Sequence, residues 1–460
     1  MPFIPGIVGG TIYTNEGFTM STIFHIDVNS AFLSWTSVHN LETGEGPDLR
    51  LVPSIIGGDA SKRHGIVLAK SIPAKKYKIQ TAEPIASALR KCPNLQVASP
   101  DFSIYKRYSN ALMDHLRDFC PEIEQVSIDE CYMNFTPVAH MYESALQAAY
   151  IIKDSVFERF GFTVNVGISD KKVLAKMASD FEKPNKVHTL YSHEIQEKMW
   201  PLPIGELFLC GKSSVTTLHK LGIMTIGQLA GSDPEMIYDN LKSIGTTLYQ
   251  FANGIDDSVV NLTHEREKSV GNSVTVSSDI TERESAIKTL LALADSVSSR
   301  LRKAHLRALN VCVEIKYSDF RKTSKQMALR GPSDDSPTLY SHALLLFDKL
   351  WNGDPIRLLG LRTGKLEDAS EPVQMSLFDL PQFNSGAGNS QSSDSGALSV
   401  SVNHDTTKQS SGEEYLGPGR QEKQHRLDEA LDSIRSKYGK EAIMRGTLYK
   451  PDGSAPSKPQ

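Results

Sequence analysis

The feature that most constrains this chain is a set of carboxylates placed where a folded protein normally keeps apolar side chains. Asp27 interrupts the run 23–28, Ile-Phe-His-Ile-Asp-Val, and Asp129-Glu130 stands between Val126-Ser127-Ile128 and Cys131-Tyr132-Met133-Asn134-Phe135. Runs of this kind read as buried strands. An ionised carboxylate inside one is costly unless it is hydrogen-bonded, paired or holds a cation. The fold therefore has to bring counter-charge to these strands.

The surrounding pattern supplies a fold class. After the first strand, Asn29 and Ser30 offer N-cap chemistry for a helix over 31–38. Tyr105, Tyr108, Leu112, Leu116 and Phe119 recur at helical spacing and predict an amphipathic helix ending near Pro121. Strands are expected at 126–128 and 131–135, with the acidic pair at or near their hairpin. A helix over 141–159, a strand over 162–168 and a helix N-capped near Ser169 and stopped by Pro184 complete the series. Strand, helix, strand, strand, helix, strand is the ferredoxin-like order, here with a long insertion over 32–99. Short helical pieces around Gly211, Gly222, Gly227 and Gly245 form a small helical module over 202–253. Alternating runs at 273–277 and 310–317 predict a second α+β domain over 269–364. The stretch 382–419, rich in Ser, Gly, Asn and Asp, reads as a flexible, disordered linker. A last helix is expected over 421–438, with Leu427, Leu431 and Ile434 on one face. The whole is an α+β multidomain chain.

Composition narrows the function classes. With 460 residues there is room for roughly three domains of about 150 each. No run approaches the ~18–20 apolar residues of a membrane helix. The cysteines, Cys92, Cys120, Cys131, Cys210 and Cys312, form no CxxC pair, which excludes an obvious zinc site or disulfide framework and points to a cytoplasmic location. Residues 1–20 carry no basic start and are broken by Pro5, Gly6, Gly9 and Gly10, so a secretion signal is not expected. The net charge of -4 conceals a basic region: 262–365 holds 17 Lys and Arg against 12 Asp and Glu.

Two Mg2+ ions would resolve the buried carboxylates, Asp27 and Asp129 being suited to bridge them, with Glu130 on the ion nearest an attacking hydroxyl and the Val28 carbonyl completing the other. The alternative is a capped turn at Asp129-Glu130 and a hydrogen-bonded Asp27. Gly211-Lys212-Ser213 fails as a phosphate loop because Glu206 stands where its first glycine is required. Ser169 and Lys172 form an SxxK match, but so short a pattern recurs by chance and an N-cap explains Ser169 better.

Three segments, Phe-His-Ile-Asp-Val-Asn-Ser-Ala-Phe-Leu-Ser-Trp at 24–35, Gln-Val-Ser-Ile-Asp-Glu-Cys-Tyr at 125–132 and Val-Gly-Ile-Ser-Asp-Lys-Lys-Val-Leu-Ala-Lys-Met-Ala-Ser-Asp-Phe-Glu-Lys-Pro-Asn at 166–185, together resemble the Y-family (DinB/UmuC-like) translesion DNA polymerases, most of all the bacterial clamp-tethered ones. The resemblance runs from about residue 21 to 365. It implies a right-hand polymerase: a ferredoxin-like palm (21–30 and 100–190), small fingers (31–99), a helical thumb with a helix-hairpin-helix (191–261) and an α+β little finger (262–365). An N-terminal extension (1–20), a clamp-binding peptide with linker (366–419) and a C-terminal helical segment (420–460) flank these. The implied catalytic and metal residues are Asp27, Asp129 and Glu130, with Val28 as a carbonyl ligand and two Mg2+ as cofactor. Ser30, Ala31 and Phe32 match the segment that meets the incoming triphosphate, a helix start being suited to an anion. Phe32 falls at the steric gate against a ribose 2′-OH, the alternative being a core phenylalanine. Lys75 and Lys183 match basic residues for the β,γ-phosphates. Where several relatives have a phosphate-binding Tyr and an Arg, this chain has Ile72 and Lys75, which implies a less bidentate grip and a smaller roof at Ser71-Ile72. Residues 209–223 resemble a DNA-phosphate-gripping helix-hairpin-helix, with Lys212 replacing a usual glycine. Arg300, Arg302, Lys303, Arg307, Lys316, Arg321, Lys322 and Lys325 would track template phosphates. Gln374, Met375, Ser376, Leu377 and Phe378 resemble a sliding-clamp-binding peptide. The implied partners are primer-template DNA, a dNTP and the clamp, with a recombinase filament or the polymerase itself as candidates for the last helix, and a monomer in the cytoplasm. A nucleotide cyclase, and a non-catalytic or partner-activated clamp-bound accessory protein, are the competing readings.

Overall fold

The computed structural model describes residues 21–58, 65–263, 266–371, 418–439 and 442–443. The chain divides into two compact units, residues up to 265 and residues from 266 onward.

In the first unit, β1 (Ile23–Val28) is buried along its whole length at the centre of a five-stranded sheet. Its alternate residues serve two faces. Phe24, Ile26 and Val28 join the main core, while Ile23 packs with Ala175 on the other side, the side that His25 and Asp27 share. The chain then turns at once into α1 (Ala31–Thr43). Ser30 makes that turn in the left-handed region, φ 49°, and its side chain does not cap the helix, contrary to expectation. Its hydroxyl donates instead to the Lys70 carbonyl at 3.4 Å.

The insertion builds a separate three-stranded sheet from β2 (Ser54–Gly57), β3 (Val67–Lys70) and, after α2 (Ile72–Lys75) and α3 (Ile85–Lys91), β4 (Gln96–Ala98). Ser71 is buried, and its hydroxyl caps α2 by accepting from the Ala74 N–H.

α4 (Phe102–Phe119) follows, N-capped by Asp101, with Tyr105, Tyr108, Leu112 and Leu116 buried as their spacing predicts. Next come β5 (Ile123–Gln125) and β6 (Glu130–Asn134). The strand expected at 126–128 is instead the turn between them. The N–H groups of Val126 and Ser127 both donate to the Glu130 carbonyl, at 3.1 and 3.2 Å, which takes these residues out of the ladder. α5 (Ala145–Phe160), β7 (Val164–Ser169), α6 (Lys172–Asp180) and β8 (Val187–Thr189) complete the domain. The strand order β5-β6-β1-β7 is that of a ferredoxin-like sheet, antiparallel throughout, with β8 added parallel to β7. Ser169 does not cap α6. It ends β7 and donates to the Leu190 carbonyl at 2.6 Å, while Asp256 accepts from the Val173 N–H in the first turn of α6 at 2.8 Å.

A helical module then packs from α7 (Ile195–Lys198), α8 (Lys212–Lys220), α9 (Ile226–Ala230) and α10 (Pro234–Ala252). The turn between α8 and α9 falls at Gly222, φ 80°, where a left-handed conformation favours glycine. Gly211 stands at the N-cap of α8 and Lys212 is its first residue.

The second unit repeats the element order with β9 (Ser269–Ile280), α11 (Arg283–Lys303), β10 (Leu306–Tyr317), β11 (Lys322–Ser333), α12 (Ser336–Leu350) and β12 (Ile356–Asp368). Its sheet is arranged differently, β11-β10-β12-β9, with the first strand at an edge. α13 (Pro418–Tyr438) belongs to this unit. Leu427, on the face it shares with Leu431 and Ile434, is exposed; Asp428 is buried, and both Asp428 and Asp432 meet Arg302 of α11. The guanidinium lies 2.8 Å from Asp432 and 3.5 Å from Asp428, and also donates to the Asp334 carbonyl at 3.1 Å. Arg302 is therefore engaged inside its own unit rather than presented to a template. Among the described residues no helix is long and apolar enough to cross a membrane.

Removing one partner of a buried ion cluster strands the others. Arg302→Gln should raise hydrogen exchange across 426–438 by at least about tenfold while leaving β10 protected. Unchanged exchange in α13 would show that it is held by other contacts.

Candidate active site

β1 and β6 lie in register so that Asp27 faces Glu130, and the Val28 N–H donates to the Asp129 carbonyl at 3.0 Å. Three carboxylates, from β1, β6 and the turn just before β6, thus share one end of the sheet. α6 and the loop after it supply the counter-charge. Lys183 bonds Asp27 and, at 2.8 Å, Asp180 Oδ1. Lys176 lies 2.9 Å from Glu130 Oε2 and 3.5 Å from Asp180 Oδ2. The result is a chain of alternating charge, Asp27, Lys183, Asp180, Lys176, Glu130. His25, fully buried, adds its Nε2 3.5 Å from Glu130 Oε2, while its Nδ1 is 2.8 Å from the Ser179 hydroxyl.

The electrostatics of the acids follow from these partners. The His25 hydrogen bond foremost, and Lys176 after it, hold the Glu130 carboxyl down at about 2 against the cost of burial. Asp129 goes the other way: burial raises its pKa, the Ser127 hydroxyl at 2.7 Å lowers it only in part, and the Asp27 and Glu130 charges raise it further. No lysine or arginine pairs with Asp129 among the described residues. His25 is pushed down by burial, so the neutral ring is favoured. Burial opposes the charge on Lys176 and Lys183, but their carboxylate partners outweigh it and raise both.

Among the described residues no three His, Cys, Asp or Glu side chains converge as metal ligands, since Asp27 and Glu130 turn to lysines. The donor set nonetheless suits a hard dication. It is all oxygen, its acids exceed the two lysines, and Asp129 sits among like charges without a cation.

Beside this cluster, α1 begins with no side-chain cap, so backbone N–H groups at Ala31 and Phe32 keep their capacity for an anion. Phe32 is half-buried and stacks on Tyr105, ring centroids 4.5 Å apart and 12° between planes, with Phe102 edge-on at 5.8 Å. It is part of an aromatic wall with these two rings. The Ser30–Lys70 bond ties this helix start to the end of β3, from which α2 carries Lys75, exposed, and Ile72, also exposed. Residues 374–378 lie outside the described residues. Sequence reasoning missed His25, Lys176, Ser179 and Asp180. It also missed Asn29 and Asn165, which fix the loop bearing Lys183: Asn29 Oδ1 accepts from the Asn185 N–H at 2.8 Å, and Asn165 Nδ2 donates to the Glu182 carbonyl at 2.7 Å.

Comparison with known proteins fits this geometry. The impB/mucB/samB family matches residues 26–180, and its C-terminal domain matches residues 267–377. DNA polymerase IV of Clostridium acetobutylicum is 42% identical over 426 residues, 93% of this chain and 98% of that one. DNA polymerase IV 1 of Bacillus subtilis is 36% identical over 366 residues, 79% of this chain and 86% of that one. Among solved structures, the Y-family DNA polymerase chimera Dbh-Dpo4(243-245)-Dbh superposes with a TM-score of 0.65 at 20% identity, covering 75% of this chain and 99% of that one. The ferredoxin-like sheet with its acidic end is thus the palm of a right-hand polymerase. The chain belongs to the Y family of DNA polymerases, and is a DNA-directed DNA polymerase.

The opposite shifts of Asp129 and Glu130 predict a stability profile. Glu130, depressed from 4.5, contributes stability that is present above pH 4.5 and drains away as pH falls towards 2. Asp129, raised from 3.8, contributes stability below that value that is lost as pH rises through its folded pKa. Asp129→Asn should therefore raise the melting temperature of metal-free protein at pH 7, by roughly 1 °C or more. A lower melting temperature would contradict the cost of holding Asp129 charged, set first by its burial and then by the Asp27 and Glu130 charges.

Proposed function

We propose that this polymerase extends a primer by joining its 3′-OH to the α-phosphate of a dNTP and releasing pyrophosphate, as a translesion enzyme of low fidelity that bypasses damaged template. The observation that carries the reading is the meeting of Asp27, Asp129 and Glu130 beside an uncapped helix start. Asp27, Asp129, Glu130 and the Val28 carbonyl would hold two Mg2+ ions. Bound there, such ions lower the pKa of the attacking hydroxyl and stabilise charge on the triphosphate and the leaving group. The chain's own residues do the rest. The N–H groups at Ala31 and Phe32, with Ser30, receive the triphosphate at the start of α1. Lys75 and Lys183 neutralise its outer phosphates as point charges rather than as bidentate forks. The Phe32 ring, backed by Tyr105, presents a rigid edge to the sugar that a 2′-OH would strike.

On this reading the palm takes 21–30 and 100–190, the fingers 31–99, the thumb 191–261 and the little finger 262–365. The thumb's α8–α9 hairpin and the little finger's remaining basic residues grip template phosphates without reading bases. Gln374 to Phe378 bind the sliding clamp as an extended peptide whose Leu377 and Phe378 fill an apolar pocket. The protein acts in the cytoplasm as a monomer; of the partners considered for the last helix, the contact with Arg302 favours docking on the polymerase over a recombinase filament.

Single-nucleotide extension of a primed template in Mg2+ tests the reading. Asp129→Ala should cut extension by at least about a thousandfold with DNA affinity nearly intact, and Phe32→Ala should extend with ribonucleotides that the wild type rejects. Equal loss of DNA binding in the first, or unchanged sugar selection in the second, would overturn the corresponding role.

A further inference from the structure

Asp180 has no role in the scheme above, yet it occupies the centre of the charge network. Its two oxygens are divided between two lysines: Oδ1 is 2.8 Å from Lys183 and Oδ2 is 3.5 Å from Lys176. Each of those lysines has a second partner that is a candidate metal ligand, Asp27 for Lys183 and Glu130 for Lys176. One carboxylate thus holds a share of both cations that occupy the metal-binding acids.

The burial of the lysines makes that share consequential. The Lys176 side chain is only 13% exposed, and an unpaired ammonium in such a place is costly. If Glu130 turns to a metal ion, Lys176 cannot simply retire to water and has to keep a carboxylate. Asp180 is already within reach and, being 45% exposed, carries a smaller desolvation cost than the acids it relieves. Lys183 is freer, 32% exposed, and with Asp180 as its anchor it can leave Asp27 while staying at the mouth of the site.

We propose that Asp180 is a positioning residue that parks Lys176 and Lys183 when Asp27 and Glu130 pass to metal, so that the lysines do not compete with the cation. The inference rests on the metal reading given above and deepens it. Without Asp180, both lysines fall back wholly on Asp27 and Glu130, and the cation has to displace them. Lys176→Met in the same chain removes the more buried competitor and restores the net charge of the pocket, which isolates the lysine as the cause.

The test is Mn2+ binding to the full chain, followed by electron paramagnetic resonance without DNA or nucleotide. Wild type should bind and Asp129→Ala should not, which checks the metal reading by itself. Asp180→Asn, an isosteric change on a half-exposed side chain, should fold normally and weaken Mn2+ binding about tenfold. Asp180→Asn with Lys176→Met should return to within about twofold of wild type. Asp180→Asn binding as well as wild type, or a double variant as weak as the single one, would overturn the parking role while leaving the metal site standing. Undiminished binding by Asp129→Ala would overturn the metal reading and the parking role with it.

Discussion

The closeness of α6 to the sheet is the constraint on which the site depends. A Cβ at Gly167 of β7 would fall 2.0 Å from the Ala175 carbonyl oxygen and 2.4 Å from the Ser179 nitrogen, both backbone atoms that cannot give way. Only glycine lets the helix lie this near. Gly167 is paired with His25 on β1, so the close approach occurs beside the strand that carries Asp27. From there Ala175 reaches the apolar patch of Ile23 and Tyr132, Ser179 reaches His25, and Lys176 reaches Glu130. A side chain at 167 would lift all three contacts together.

The same closeness explains how acids survive in a buried strand. Asp27 and Glu130 are relieved by lysines one helical face away, and the amide pair Asn29 and Asn165 fastens the loop that brings Lys183 back to β1. Asp129 is left without such relief. A pocket whose acids outnumber its cations is strained in favour of whatever positive charge arrives, at a cost in stability of the empty protein. This is the usual relation between a functional site and the fold that carries it.

How much of this was legible in the sequence follows from the range of each interaction. Local signals were sound for the helix: the period of Tyr105, Tyr108, Leu112 and Leu116 fixed α4, and the acids within apolar runs come together at one end of the sheet. Val126 and Ile128 misled because β-branched residues favour strands, whereas the N–H bonds of Val126 and Ser127 to the Glu130 carbonyl make this stretch a turn. Ser30 and Ser169 misled because a hydroxyl next to a helix can bond elsewhere. Lys176 and Asp180, four apart on a helix, carry no local signal of their role, because the acid that Lys176 meets, Glu130, lies on a strand far back in the chain. Arg302 was assigned to DNA on charge alone, and charge does not say which anion it meets.

The most direct measurement is a crystal structure of the full chain with primer-template DNA, a non-hydrolysable dNTP and Mn2+, read by anomalous scattering. The account predicts manganese peaks ligated by Asp27, Asp129 and Glu130, with Lys183 moved from Asp27 to the triphosphate. Bound nucleotide with the Lys183–Asp27 and Lys176–Glu130 pairs intact, and manganese elsewhere, would contradict it.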